Sequence, residues 1–114
     1  AEVESILTRH PSVVESAAIG VPHEVKGSEL VVFAVLKKGV EQTDELRKNL
    51  RAMIVDEMGK ALAPKSVLFV SDLPKTRNAK VMRRMIRSAF LGQELGDTSS
   101  LVNPEAVEEV RRAK

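Results

Sequence analysis

Leu30-Val31-Val32-Phe33-Ala34-Val35-Leu36 is the longest uninterrupted apolar run in this 114-residue chain, and its reading decides the fold. A strand with one face in water alternates apolar and polar side chains, so a continuous run predicts a strand covered on both faces. The run is also far too short to cross a bilayer, which takes roughly 20 apolar residues in a helix. It is therefore read as the central strand of a small sheet.

Working outward, Lys37-Lys38-Gly39 ends this strand, and Thr43 stands where an N-cap would open a helix. Leu46, Leu50, Met53, Ile54 and Met58 recur at helical spacing and face inward, with a stop near Gly59. Upstream, residues 13–21 are rich in Val, Ala and Ile and bounded by Gly20 and Pro22, the pattern of a strand, and a turn through His23 and Gly27 joins it to the central one. Downstream, Pro64 precedes a short third strand at residues 66–70. At the ends, Val3, Ile6 and Leu7 give an opening helix broken by His10-Pro11, and Asn103-Pro104-Glu105 starts a last helix through Val107 and Val110. The sum is an α+β domain: a small, largely antiparallel sheet of about three strands plus a hairpin, flanked by helices. Residues 1–91 are read as its body and residues 92–114 as a peripheral tail with a short helix. The chain opens without an initiator Met or a capping residue, which predicts a domain excised from a longer protein.

Composition narrows the chemistry. With 43% apolar and 30% charged residues the chain suits one globular domain. It has no Cys and only His10 and His23, so a disulfide framework, a thiol nucleophile and a zinc cluster are set aside, and no metal ligands are assigned. Both histidines lie beside prolines at turns, the ordinary setting of a solvated imidazole. Asp56 with Glu57, and Glu108 with Glu109, are neighbours on helices and point apart rather than forming acid/base pairs. Gly20, Gly27 and Gly39 lack phosphate-loop spacing. Met82 and Met85 read as core filling. No membrane segment is found, and a cytoplasmic location is expected.

Charge is concentrated in residues 74–87, Pro-Lys-Thr-Arg-Asn-Ala-Lys-Val-Met-Arg-Arg-Met-Ile-Arg. Lys75, Arg77, Lys80, Arg83, Arg84 and Arg87 stand here with no acid; taking these six from the 18 basic residues leaves 12 against 16 acidic ones. The net charge of +2 thus hides a dipolar molecule. Pro74 favours a loop, and from Val81 the residues Met82, Met85, Ile86 and Ala89 follow a helical period with Arg83, Arg84 and Arg87 opposite. Lys80 falls at the junction, on an exposed loop at a helix N-terminus, a place suited to an anion.

Residues 73–84, Leu-Pro-Lys-Thr-Arg-Asn-Ala-Lys-Val-Met-Arg-Arg, resemble the signature near the C-terminus of AMP-forming acyl-CoA synthetases, Leu-Pro-Lys-Thr-Arg-Ser-Gly-Lys-Ile-Met-Arg-Arg, at ten positions of twelve when Val is allowed for Ile. Ala1-Glu-Val-Glu, the Ile-Gly-Val-Pro strand end at 19–22, Gly27, and Gly96-Asp-Thr-Ser-Ser-Leu with Pro104 resemble that family in register, the last resembling its acetyl-CoA synthetase branch. The resemblance implies a two-domain ligase in which this chain is the small mobile domain. ATP, Mg²⁺ and CoA would be bound mostly by a large N-terminal domain, the partner of this one, and a small carboxylic acid, acetyl or short-chain, would be the substrate. It also implies that Lys80 is the adenylation lysine, supported by Thr76 and Arg77 in its loop, and that Lys80 is reversibly acetylated by a protein acetyltransferase and a sirtuin-type deacetylase. Asn78-Ala79 departs from the family's Ser-Gly and removes a permissive glycine beside the lysine. The rival reading from charge alone is a basic module binding anions or nucleic acid; Phe33, Phe69 and Phe90 are its only aromatics, which leaves little for base stacking.

Overall fold

The structure, a computed structural model, describes residues 2–25 and 27–113. Its elements run α1 (Glu2–Thr8), β1 (Val13–His23), β2 (Gly27–Leu36), α2 (Asp44–Met58), a 3-10 turn (Lys60–Leu62), β3 (Ser66–Val70), α3 (Arg83–Leu91) and α4 (Pro104–Arg112). The sheet has the order β1-β2-β3, so the apolar run is the central strand.

That run is covered on both faces, as its composition requires. Val31, Phe33 and Val35 point into a cluster with Ala17, Ile19 and Val21 of β1, Ile86 and Ala89 of α3, and Val107 and Val110 of α4. Val32 and Ala34 point the other way, onto Val3, Ile6 and Leu7 of α1 and Leu46, Leu50 and Ile54 of α2. Val31, Val32, Phe33 and Ala34 all have 0% exposure, so neither face of β2 meets water. Phe33 also meets Phe90 edge-on, with ring centroids 5.8 Å apart. The domain is three layers deep: α1 and α2, the sheet, then α3 and α4.

The sheet is mixed. β1 and β2 pair antiparallel through the tight turn after His23, with a bulge at Val14. β2 and β3 pair parallel, because α2 lies between them in sequence and carries the chain back to the starting end before β3 begins. α2 itself is bounded as expected: the Leu46 N–H donates to Thr43 Oγ1 at 3.1 Å, and Gly59 takes a φ of 90° as the helix stops.

Two expectations need correcting. The helix after the basic loop starts at Arg83 rather than Val81. The tail is not peripheral: Ala106, Val107 and Val110 of α4 are buried against the α3 face of the sheet. The same two-face coverage that the central strand demands explains this, since α3 alone is a nine-residue helix and leaves part of that face open. Among the described residues no helix is long and apolar enough to cross a membrane.

Candidate functional site

Between β3 and α3 the chain makes a small hairpin with Lys80 near its tip. Lys75 and Val81 bridge antiparallel, and the Met82 N–H donates to Pro74 O at 2.9 Å. The tip is closed by Thr76 N–H to Lys80 O at 3.0 Å, Ala79 N–H to Thr76 O at 2.9 Å, and Lys80 N–H to Thr76 Oγ1 at 3.3 Å. Thr76 therefore fixes the Lys80 backbone from both sides. Because residues 81 and 82 are used to close the hairpin on 74 and 75, helical geometry begins only after them, and Lys80 sits on the hairpin's returning arm rather than at a helix N-terminus. Ala79 has a φ of 61°, and is the only non-glycine residue of the described chain in the left-handed region. The family resemblance has glycine at this position, so the substitution of Ala stores strain next to the lysine.

Below the tip no buried side-chain nitrogen or oxygen of the described residues lacks a partner. Lys75 Nζ is bound by Glu15 of β1 and, at 3.1 Å, by Asp72 Oδ1. Burial works against the Lys75 ammonium, but the bonds and charges of Glu15 and Asp72 outweigh it and raise its pKa. Asn103, at the start of α4, accepts from the Lys75 N–H at 2.9 Å and donates to Leu73 O at 2.8 Å and Asp72 Oδ2 at 2.9 Å. Burial raises the Asp72 pKa, yet the hydrogen bonds from Asn103, Lys75 and the Leu73 N–H together leave it lowered. Thr76 bridges Leu101, and the Val102 N–H donates to Lys75 O at 3.0 Å, so residues 101 and 102 lie antiparallel against the hairpin's first arm.

The six cations of residues 74–87 divide sharply. Arg83 forks onto the buried carboxylate of Glu4, with Nε to Oε2 at 2.7 Å, while the Ala18 N–H donates to the same carboxylate at 2.7 Å. Burial opposes ionisation of Glu4, but Arg83 and the Ala18 N–H overcome it and hold its pKa below the ordinary value. Arg84 donates to Leu95 O and Arg87 to Gly20 O, both at 2.8 Å. With Lys75 this makes four cations used as internal struts. Arg77 and Lys80, both exposed, are the two of the six whose side chains meet no partner among the described residues. They border an open groove of about 510 Å³ lined by Thr76, Arg77, Asn78, Lys80, Ser99 and Ser100. Two cations, three hydroxyls and an amide, with no carboxylate, suit the oxygens of a phosphate or carboxylate.

Of the other candidates, the two histidines are half-buried and hydrogen-bonded rather than the solvated imidazoles expected, while the acidic pairs point apart as expected. His10 Nδ1 accepts from the Ser12 N–H and His23 Nδ1 from the Val25 N–H, so both imidazoles shape turns. Glu57 pairs with Arg9 and Glu109 with Ser71, while Glu108 pairs with Arg111, leaving neither acidic pair acting together. Met85 is buried in the core, Met82 half-buried. The nucleic-acid reading finds no support, since Lys75 and Arg83 are tied to carboxylates and Arg84 and Arg87 are bonded to backbone carbonyls. Sequence reasoning missed the Glu4–Arg83 clamp, whose partners lie 79 residues apart. It missed Asn103 too; the signal available was an Asn before Pro104 within the resembled tail motif.

With this geometry in place, comparison with known proteins is decisive about family. The family model of the AMP-binding enzyme C-terminal domain matches residues 2–80. The chain belongs to that family. The acetyl-coenzyme A synthetase of Methanothrix thermoacetophila is 46% identical over 110 residues, covering 96% of this chain and 17% of that protein. Among solved structures, an acyl-CoA synthetase from Brucella canis superposes with a TM-score of 0.73 at 35% identity, over 77% of this chain and 16% of that one. The acetoacetyl-CoA synthetase of Streptomyces lividans, at 20% identity, shares the fold over 98% of the chain with a TM-score of 0.83, α4 included. This AMP-binding enzyme C-terminal domain spans 17% of the length of the curated relative.

Proposed function

We propose that this chain is the mobile C-terminal domain of an AMP-forming acyl-CoA synthetase acting on acetate or another short-chain acid, and that Lys80 is its adenylation lysine. The observation that supports this is the pairing of opposites at the hairpin: an ammonium without an internal partner, held on a backbone fixed by Thr76, beside Arg77 and an anion-compatible groove.

In the first half-reaction a carboxylate oxygen attacks the α-phosphorus of ATP, forming acyl-adenylate as the bond to pyrophosphate breaks. Several anionic oxygens gather there, and a long ammonium arriving with domain closure bridges them while charge moves toward the leaving group. Lys80 keeps its proton throughout; its work is electrostatic and orienting. In the second half-reaction the CoA sulfur attacks the acyl carbon and AMP leaves, and a domain rotation presents a different face and withdraws Lys80. The groove holds no carboxylate, so Mg²⁺, which neutralises ATP oxygens in such chemistry, would be held with ATP by a large N-terminal domain, the domain's main partner. Residues 1–91 would form the body of the small domain and residues 92–114 its tail. The reading places the enzyme in the cytoplasm.

The same exposure makes Lys80 a target for an acetyltransferase, with removal by a sirtuin-type deacetylase. An acetyl group erases the charge that meets the α-phosphate, so adenylation stops while thioester formation continues. The full-length protein, given ATP, a short carboxylic acid and CoA, should yield thioester, AMP and pyrophosphate in equal amounts, and the 114 residues alone should remain at blank. Formation of ADP and phosphate, or turnover by the 114 residues alone, would overturn the proposal.

A further inference from the structure

Asn103 occupies the N-cap position of α4, where an Asn side chain ordinarily accepts from the first free N–H groups of its own helix, yet it makes no such bond. All of its side-chain hydrogen bonds go instead to the 72–75 segment: to the Lys75 N–H, Leu73 O and Asp72 Oδ2. The residue is 8% exposed, so these bonds form away from competing water. Lys75 is next to Thr76, and Thr76 is the residue that fixes the backbone of Lys80 from both sides. A helix N-cap has thus been given up to hold the base of the hairpin.

Resting on the reading of Lys80 given above, we infer that Asn103 is a positioning residue for adenylation: it couples α4 to the hairpin so that Lys80 meets the α-phosphate at one reproducible height. Loosening the base leaves the ammonium present but spreads its position, and catalysis that depends on orientation falls steeply with displacements near 1 Å. Binding of the carboxylate and of CoA, and the second half-reaction, do not use Lys80 and are untouched.

The test is made in the full-length enzyme. Asn103→Ala should lower kcat for acid-dependent ATP–pyrophosphate exchange about ten- to a hundred-fold, with the KM for the acid and thioester formation from supplied acyl-adenylate within about two-fold. Asn103→Asp, close in shape, turns the donor facing Asp72 and Leu73 into an acceptor and should lose as much. Joining it to Asp72→Asn restores a donor and acceptor with roles exchanged, and should recover part of the rate. Val107→Ala, which loosens α4 away from the hairpin, should lower the melting temperature and leave the exchange rate near wild type. Equal loss in both half-reactions, no rescue by the double variant, or the same exchange defect in Val107→Ala would each overturn the inference. Lys80→Ala run alongside separates the two levels: if it spares exchange, the reading of Lys80 has failed, whereas loss there with an unaffected Asn103→Ala sinks the positioning role alone.

Discussion

The tip and the base of one hairpin, a few residues apart, follow opposite rules. At the base, Asp72, Leu73 and Lys75 have their polar groups bonded to Asn103, Glu15 and each other, and Leu73 is 0% exposed. At the tip, Arg77 and Lys80 are exposed cations without a partner among the described residues, and Ala79 holds a strained backbone. The contrast teaches what an exposed cation proposed for catalysis needs: the solvated charge itself costs little stability, but its position is set by neighbours whose own geometry is over-determined.

Breaking the base should cost most. Leu73→Ala removes a fully buried side chain from the cluster under the hairpin and should destabilise by about 3 kcal/mol, read as a fall in the denaturation midpoint with an unchanged m-value. Next comes the clamp behind α3. Arg83→Ala leaves the Glu4 carboxylate buried beside the Ala18 N–H; Arg83 is 46% exposed, so the cost should be about 2 kcal/mol, below the roughly 3–5 kcal/mol of a fully buried pair. The depressed Glu4 pKa adds stability that is complete above about pH 4.3, where an unfolded glutamate titrates, and fades as pH falls through the lower folded value. Without Arg83 that increment is absent, so the stability gap between Arg83→Ala and the wild type should be widest at neutral pH and close as pH falls; a gap that stays constant into acid would show that the clamp carries no linkage.

At the tip the signs change. Ala79→Gly relieves the left-handed strain and should stabilise by about 0.5–1 kcal/mol; a loss of stability would mean the Cβ is packed rather than strained. Arg77→Ala should change stability by less than about 0.5 kcal/mol, because its exposed guanidinium has no hydrogen-bond or ionic partner among the described residues.

Legibility in the sequence follows the same division between local and long-range causes. The central strand, the Thr43 cap, the third strand and the apolar faces of α1 and α2 rest on spacing within a few residues, and these were readable. The parallel pairing of β3, the late start of α3 and the packing of α4 depend on where distant segments meet, which periodicity does not encode. Lys80 could be singled out because its motif is contiguous, and Ala79 because it departs from that motif at a position where the backbone turns left-handed without a glycine. The partition of the six cations into four struts and two unpartnered charges was not readable: Glu4, Glu15, Gly20 and Leu95 are scattered in sequence and converge only in the fold.

The central claim is that Lys80 serves one half-reaction only, and the most direct measurement is the rate of each half-reaction in full-length enzyme carrying Lys80→Ala. The account predicts that acid-dependent ATP–pyrophosphate exchange falls by about a hundred-fold or more, while thioester formation from supplied acyl-adenylate and the melting temperature stay at wild-type values. Equal loss in both half-reactions, or exchange at the wild-type rate, would contradict it.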